Sequence, residues 1–173
     1  MTRFEIDPEA SQVWIEGSSS VHPIHATALG CTGWLQVTMT RGALAASPKF
    51  DGEVRIAVDR LRSGNPLVDR ETRRRIDASR HPEIVGTASS ATRLAEHRLG
   101  VRGEIEFRGE VREVDGEVTL AASDDRVTVD GEARFDVRDW GLEPPRVALL
   151  KVHPEITVRI HLEGCSSAHR ADR

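Results

Sequence analysis

The feature that most constrains this chain is a two-residue alternation of apolar and polar side chains, repeated along most of its length. In "LGVRGEIEF", Leu99, Val101, Gly103, Ile105 and Phe107 alternate with Arg102, Glu104 and Glu106. In "VTVDGEARFDV", Val127, Val129, Ala133, Phe135 and Val137 fall on one side. "PEITVRIHLE" sets Ile156, Val158, Ile160 and Leu162 against Thr157, Arg159 and His161, and "EVRIAVDRL" groups Val54, Ile56 and Val58. Successive side chains of a strand point to opposite faces, so these segments are strands with one dry and one wet face. That pattern belongs to an antiparallel sheet rather than a buried parallel one. About eight such strands must close or stack to hide their edges and dry faces.

The connections are read from glycine and proline. Asp51-Gly52, Asp115-Gly116 and Asp130-Gly131 are turn or bulge signals. Asp115-Gly116 stands between "GEVREV" and "EVTLA" as a two-residue hairpin loop would, and Gly131 marks a bulge or sharp bend. One segment breaks the period. In "SGNPLVDRETRRRIDASRHP", Asn65 can cap a helix and Pro66 can open it, which predicts a short helix between Pro66 and Ser79. Leu67, Val68 and Ile76 would pack it down. Its outer face would carry Arg70, Arg73, Arg74 and Arg75, paired with acids such as Asp69, Glu71 and Asp77 or touching an anion at a pocket mouth.

The 173 residues suit one domain with a substantial core, and no linker, repeat or composition shift divides them. The expected domain spans 1–164, followed by a polar tail at 165–173. A net charge of -4 gives no reason to expect a nucleic acid or anionic membrane partner. No segment has the roughly 18 apolar residues of a membrane helix, so no transmembrane segment is expected. The opening "MTRFEIDPEASQ" has no apolar stretch of the kind a secretory signal needs, which points to the cytoplasm. Cys31 and Cys165 read as reduced thiols, with a bridge between them left open.

Chemistry is sparse. His22 and His25 bracket a proline in "SVHPIHA". Three residues apart on a strand they face opposite ways, and no HExxH, HxH or Cys-His cluster supplies further ligands, so no metal site is expected. There is no GxSxG elbow, no GxGxxG and no GxxxxGK[ST]. His22-Pro-Ile-His25 reads as a strand entry at a rim, with at most one histidine facing a pocket mouth. In "DWGLEPP", Trp140 serves either as a plug against a ligand or as a structural corner, with Gly141 allowing the turn and Pro144-Pro145 stiffening the exit.

Four landmarks, taken in order, resemble the YceI-like family of lipocalin-like polyisoprenoid-binding proteins. They are "IDPEASQVWIEGSSSVHPIHATALGCTGWLQV", "VRIAVDRLRSGNPLVDRETRRRIDASRHPEI", "FRGEVREV" and "DVRDWGLEPPRVALLKVHPEITVRIHLEG". They span roughly residues 4 to 163. His81 stands in an aromatic position before Pro82, and Val111 stands where the family often has threonine. The resemblance implies an all-β, eight-stranded antiparallel lipocalin-like barrel with one short inserted helix, enclosing an elongated apolar pocket for an isoprenoid or similar amphiphile.

On that reading, twelve side chains from the dry faces line the pocket: Val54, Ile56, Val58, Val101, Ile105, Phe107, Val129, Phe135, Ile156, Val158, Ile160 and Leu162. Trp140 lies near one end, polar groups lie at the other, and His22 and His25 lie at the rim. The expected function is non-enzymatic binding or carriage of an isoprenoid, quinone-like or other lipidic molecule, with no cofactor. Two alternatives stay open: a cofactor-free cyclase or isomerase on the same barrel, for which His22, His25 and Asp77 are the first groups to inspect, and a filled barrel serving protein interaction. A homodimer is left open.

Overall fold

The computed structural model describes residues 1–144 and 146–166. The expected polar tail lies outside them except for Cys165 and Ser166, which close the last strand. The strands are β1 (Thr2–Ile6), β2 (Gln12–Ser19), β3 (Pro23–Leu29), β4 (Thr32–Val37), β5 (Met39–Thr40), β6 (Ala43–Leu44) and β7 (Phe50–Ala57). They continue as β8 (Glu83–Arg93), β9 (Arg98–Phe107), β10 (Glu110–Ala122), β11 (Arg126–Asp136), β12 (Arg146–Val147) and β13 (Leu150–Ser166). Among the described residues, one helix, α1 (Pro66–Ile76), and two 3-10 turns (Val58–Arg60 and Val137–Trp140) complete the elements.

Antiparallel pairing runs β1–β4–β7–β8–β9–β10–β11–β13 and returns from β13 to β1, closing an eight-stranded barrel. β13 is long enough to serve two strands, pairing with β1 at its far end and with β2 along the rest. β1 and β2 therefore share one wall, and β3 and β4 the next. Where β7 ends, Arg62 takes up the edge of β3 through reciprocal backbone bonds with Thr27 at 2.9 Å.

The turns differ from expectation in an instructive way. The β9–β10 hairpin turns at Arg108-Gly109, where Phe107 pairs with Glu110 and both loop residues have positive φ (55° and 75°). Positive φ at both central residues defines the type I′ turn, whose twist matches the flanking strands. The register it sets carries Asp115 and Gly116 into mid-strand opposite Arg102 and Val101, so they form no hairpin loop. Asp51-Gly52 and Asp130-Gly131 also lie within strands, and the pairing around Gly131 is regular on both sides, without a bulge. The register shifts fall instead between Ala88 and Ser90, and between Val152 and Ile156 around Pro154.

The helix forms where expected. Asn65 Oδ1 accepts from the Leu67 and Val68 amides, and Pro66 occupies the first turn, where a missing N–H costs nothing. It stops at Ile76, short of Ser79, because Asp77 turns left-handed (φ 57°) and its amide bonds back to Arg73 and Arg74. Val68 and Ile76 are buried, whereas Leu67 is 63% exposed and packs nothing down. Among the described residues no helix is long and apolar enough to cross a membrane.

Two buried clusters hold the molecule. One fills the end of the barrel away from α1, with Phe4, Leu35, Val37, Phe50, Leu99, Leu120, Val127 and Leu162, and the β5–β6 hairpin lays Met39 and Leu44 over it. The other packs Ile76 of α1 against Val58 and Leu142 at the opposite end, and so holds the helix across that opening.

Candidate functional site

Between these clusters the barrel is hollow. A cavity of about 440 Å3 runs from Val129 and Leu162 near the packed floor to α1 and the Trp140 loop at the helix end. Its walls are the dry faces of the alternating strands. Eleven of the twelve expected strand residues line it: Val54, Ile56, Val101, Ile105, Phe107, Val129, Phe135, Ile156, Val158, Ile160 and Leu162. Trp140 lines it too. Val58 does not, because β7 gives way there to a 3-10 turn that places this side chain in the cluster beneath α1.

The hollow arises from inward positions that carry little or no side chain. Gly17, Ala26, Gly52, Gly86, Gly116, Gly131 and Ala133 all border the cavity. A Cβ at Gly86 or Gly116 would meet no atom within 4 Å, so both glycines face open space. At Gly131 the same atom would come within 3.1 Å of Val118 and 3.3 Å of Ile160, so this position is already crowded. An eight-stranded barrel is just wide enough for side chains to fill, and glycine at its middle level leaves that width empty.

Trp140 is both wall and corner. It is 5% exposed, its indole N–H donates to the Ile105 carbonyl at 3.1 Å, and its ring meets Phe135 edge-on at 5.8 Å and 79°. Arg108 and Arg112 donate to the backbone carbonyls of residues 139–141, tying the loop to the β9–β10 hairpin. Pro145, expected to stiffen the exit from this loop, lies outside the described residues.

The polar lining groups stand at the same end as Trp140, not opposite it. Val68, Thr72 and Ile76, four residues apart, turn one face of α1 to the cavity, with Asp69 and Arg73 beside them and Ser63 just before the helix. The floor is apolar because the β5–β6 hairpin and the buried cluster close it. Elsewhere on α1, Glu71 accepts from both Arg74 and Arg75, which holds its carboxyl down at about 2. Asp77 does not line the cavity and is engaged by Ser79 and Arg80.

The two histidines of the rim motif lie outside the cavity. His22 Nδ1–H donates to its neighbour's carbonyl, Pro23 O, at 2.7 Å, and His25 is exposed, 4.0 Å from Glu16 on the outer face. The histidine at the cavity mouth is His153, whose ring bonds the Ser18 hydroxyl at 2.9 Å. Among the described residues no group of three or more His, Cys, Asp or Glu is arranged to hold a metal ion. Cys31 and Cys165 are both free thiols, and burial pushes the Cys31 thiol upward in pKa.

The sequence reading missed the helix face and the glycines. The four-residue spacing of Val68, Thr72 and Ile76 carried the first signal. For the second, the strand alternation runs unbroken through each glycine, as in Phe50, Gly52, Val54 and in Gly116, Val118, Leu120.

No curated protein matches this chain in sequence. Solved structures match its fold. BcnA of Burkholderia cenocepacia superposes with a TM-score of 0.76 at 17% identity, over 91% of this chain and 98% of that one. A polyisoprenoid binding domain from Saccharophagus degradans, implicated in plant cell wall breakdown, gives 0.76 at 13% identity, over 96% and 99%. The Campylobacter jejuni YCEI protein gives 0.60 at 11% identity, over 76% and 80%. The model of the YceI-like domain matches residues 4–164, from within β1 to two residues short of the end of β13, and the chain therefore belongs to the YceI-like family.

Proposed function

We propose that this protein is a non-enzymatic carrier that holds one isoprenoid, quinone-like or other lipidic molecule in the hollow half of its barrel. The observation that carries this reading is the cavity itself: apolar walls, glycine at mid-level, a packed floor and a helix across the opening. Burying a hydrocarbon chain there is worth about 0.8 kcal/mol per CH2 group removed from water, so affinity grows with chain length until the floor is reached. The likeness to a polyisoprenoid binding domain supports the same class of ligand.

Carriage is favoured over catalysis by the titratable groups. An acid–base enzyme needs two of them converging on a substrate. Here His22, His25 and Asp77 lie off the cavity, Asp69 Oδ1 is occupied by the Ser63 amide and hydroxyl, and the ring of His153 at the mouth is bonded to the Ser18 hydroxyl. The test is native mass spectrometry of the purified chain with organic extraction of what copurifies, alongside titration with a fluorescent prenyl probe. The expected result is one lipidic molecule per chain, displaced by the probe. A chain that copurifies with nothing and never binds the probe would refute carriage.

A further inference from the structure

Arg73 differs from the other arginines of α1. Arg74 and Arg75 converge on Glu71, Arg75 also donates to the Glu143 carbonyl, and Arg70 is exposed to solvent. Arg73 is half-buried and lines the cavity, and among the described residues its guanidinium has neither an ion pair nor a hydrogen-bond acceptor. One turn earlier on the helix stands Asp69, whose Oδ1 is taken by the Ser63 amide at 2.8 Å and hydroxyl at 2.6 Å. Thr72, between them, also lines the cavity, and among the described residues its side chain has no hydrogen-bond partner.

A half-buried arginine beside apolar walls is stabilised when something anionic meets its guanidinium. Its planar fork fits the two oxygens of a carboxylate or phosphate, and an adjacent hydroxyl adds a third donor. We propose that Arg73, helped by Thr72, binds the anionic head, carboxylate or phosphate, of an amphiphile whose chain lies in the cavity.

This inference rests on the lipid-carrier reading and adds the ligand's polarity and direction. The head sits at the helix end and the chain points toward Val129 and Leu162. The wall from Ile156 to Leu162 rises about 3.3 Å per residue and tilts by 35–45°, giving a depth on the order of 15 Å. At roughly 1.2 Å per bond of an extended chain, that depth accommodates about a dozen bonds.

The test is calorimetric titration of the full chain with dodecanoate, dodecyl phosphate and dodecanol, each below its aggregation limit. The wild type, Arg73→Gln, Arg73→Lys and Arg70→Gln are compared after their thermal transitions are matched. The wild type should bind one or both anions about tenfold or more tighter than the alcohol. Whichever anion binds tighter identifies the head as carboxylate or phosphate. Arg73→Gln should erase the preference while leaving dodecanol binding intact, Arg73→Lys should keep part of it, and Arg70→Gln should keep all of it. Equal binding of alcohol and anions by the wild type, or an unchanged preference in Arg73→Gln, overturns anion recognition and leaves the carrier reading standing. Failure of all three ligands to bind overturns both.

Discussion

The floor and the helix end of this barrel are built from the same strands, yet one is packed solid and the other is hollow. Toward the floor, the inward positions carry Phe4, Leu35, Val37, Phe50, Leu99, Leu120 and Leu162, which meet across the axis. Higher up, inward positions of β7, β8, β10 and β11 become Gly52, Gly86, Gly116 and Gly131, and nothing crosses. Above the glycines, Ile56, Ile105, Phe107, Phe135 and Ile156 return, but α1 and the Trp140 loop lie over them rather than between them. The difference teaches that closure does not decide whether such a barrel is a core or a container. A handful of inward residues at one level decides it.

The largest expected effect comes from cutting into the packed half. Leu99 is fully buried, so Leu99→Ala should lose about 2–5 kcal/mol through lost transfer energy plus a new void. Ile156→Ala, in the hollow half, should lose about half as much, since its side chain already borders empty space and no new cavity forms. Urea denaturation of both variants checks this. Equal losses would mean that the two halves are packed alike.

The glycines sharpen the contrast further. Gly131→Val should cost about 1–3 kcal/mol by overpacking against Val118 and Ile160. Gly116→Val should hold stability or raise it by about 0.5–1 kcal/mol, because a strand gains from a side chain and nothing stands in its way. The same Gly116 variant, and more so Gly116→Leu, should lose the prenyl probe. Thermal melts and probe titration on each protein separate filling from unfolding. A probe that still binds Gly116→Leu normally would place the ligand elsewhere.

A smaller effect is expected at the cap. Trp140→Phe removes the donor to the Ile105 carbonyl and should cost about 1 kcal/mol, with faster ligand release measured by stopped-flow displacement. Release at an unchanged rate would make this loop a corner only.

The smallest effect lies on the outer face. His161 bonds Asp130 at 2.7 Å and lies near Glu163, which raises its pKa despite partial burial. A group with a raised folded pKa stabilises fully below its unfolded value, near 6.5, and loses that contribution as pH rises through the folded value. His161→Gln should therefore be less stable than the wild type at pH 5.5, with the difference shrinking as pH rises, and probe affinity unchanged between the two proteins. A difference that grows with pH would reverse the assignment.

Much of the wall was legible in advance. Strand alternation in β7, β9, β11 and β13 picked out eleven side chains that border the cavity, because a side chain's face on a strand is a matter of parity. The helix was legible from Asn65-Pro66, since a cap and a first-turn proline act locally. The Asp-Gly pairs misled for a physical reason. Glycine serves turns by tolerating positive φ, but it serves a barrel interior by occupying no space, and the residue name is the same in both uses. Arg108-Gly109 turns the chain, while Gly116, seven residues later, empties the lumen.

What the sequence determined by itself is therefore local and periodic: which segments are strands, which face of each is dry, where the helix starts, and the ordered landmarks of the YceI-like family. What only the tertiary structure decided is which inward residues share a level across the axis, and hence where the barrel is filled and where it is hollow. The same holds for Arg73. Its neighbours in sequence offered Asp69 and Asp77 as partners, but Asp69 is engaged by Ser63 and Asp77 caps the helix, which leaves a guanidinium at the cavity. Void space and an unmatched charge are properties of what several distant segments fail to supply at one point. Only closure of the barrel brings those segments together.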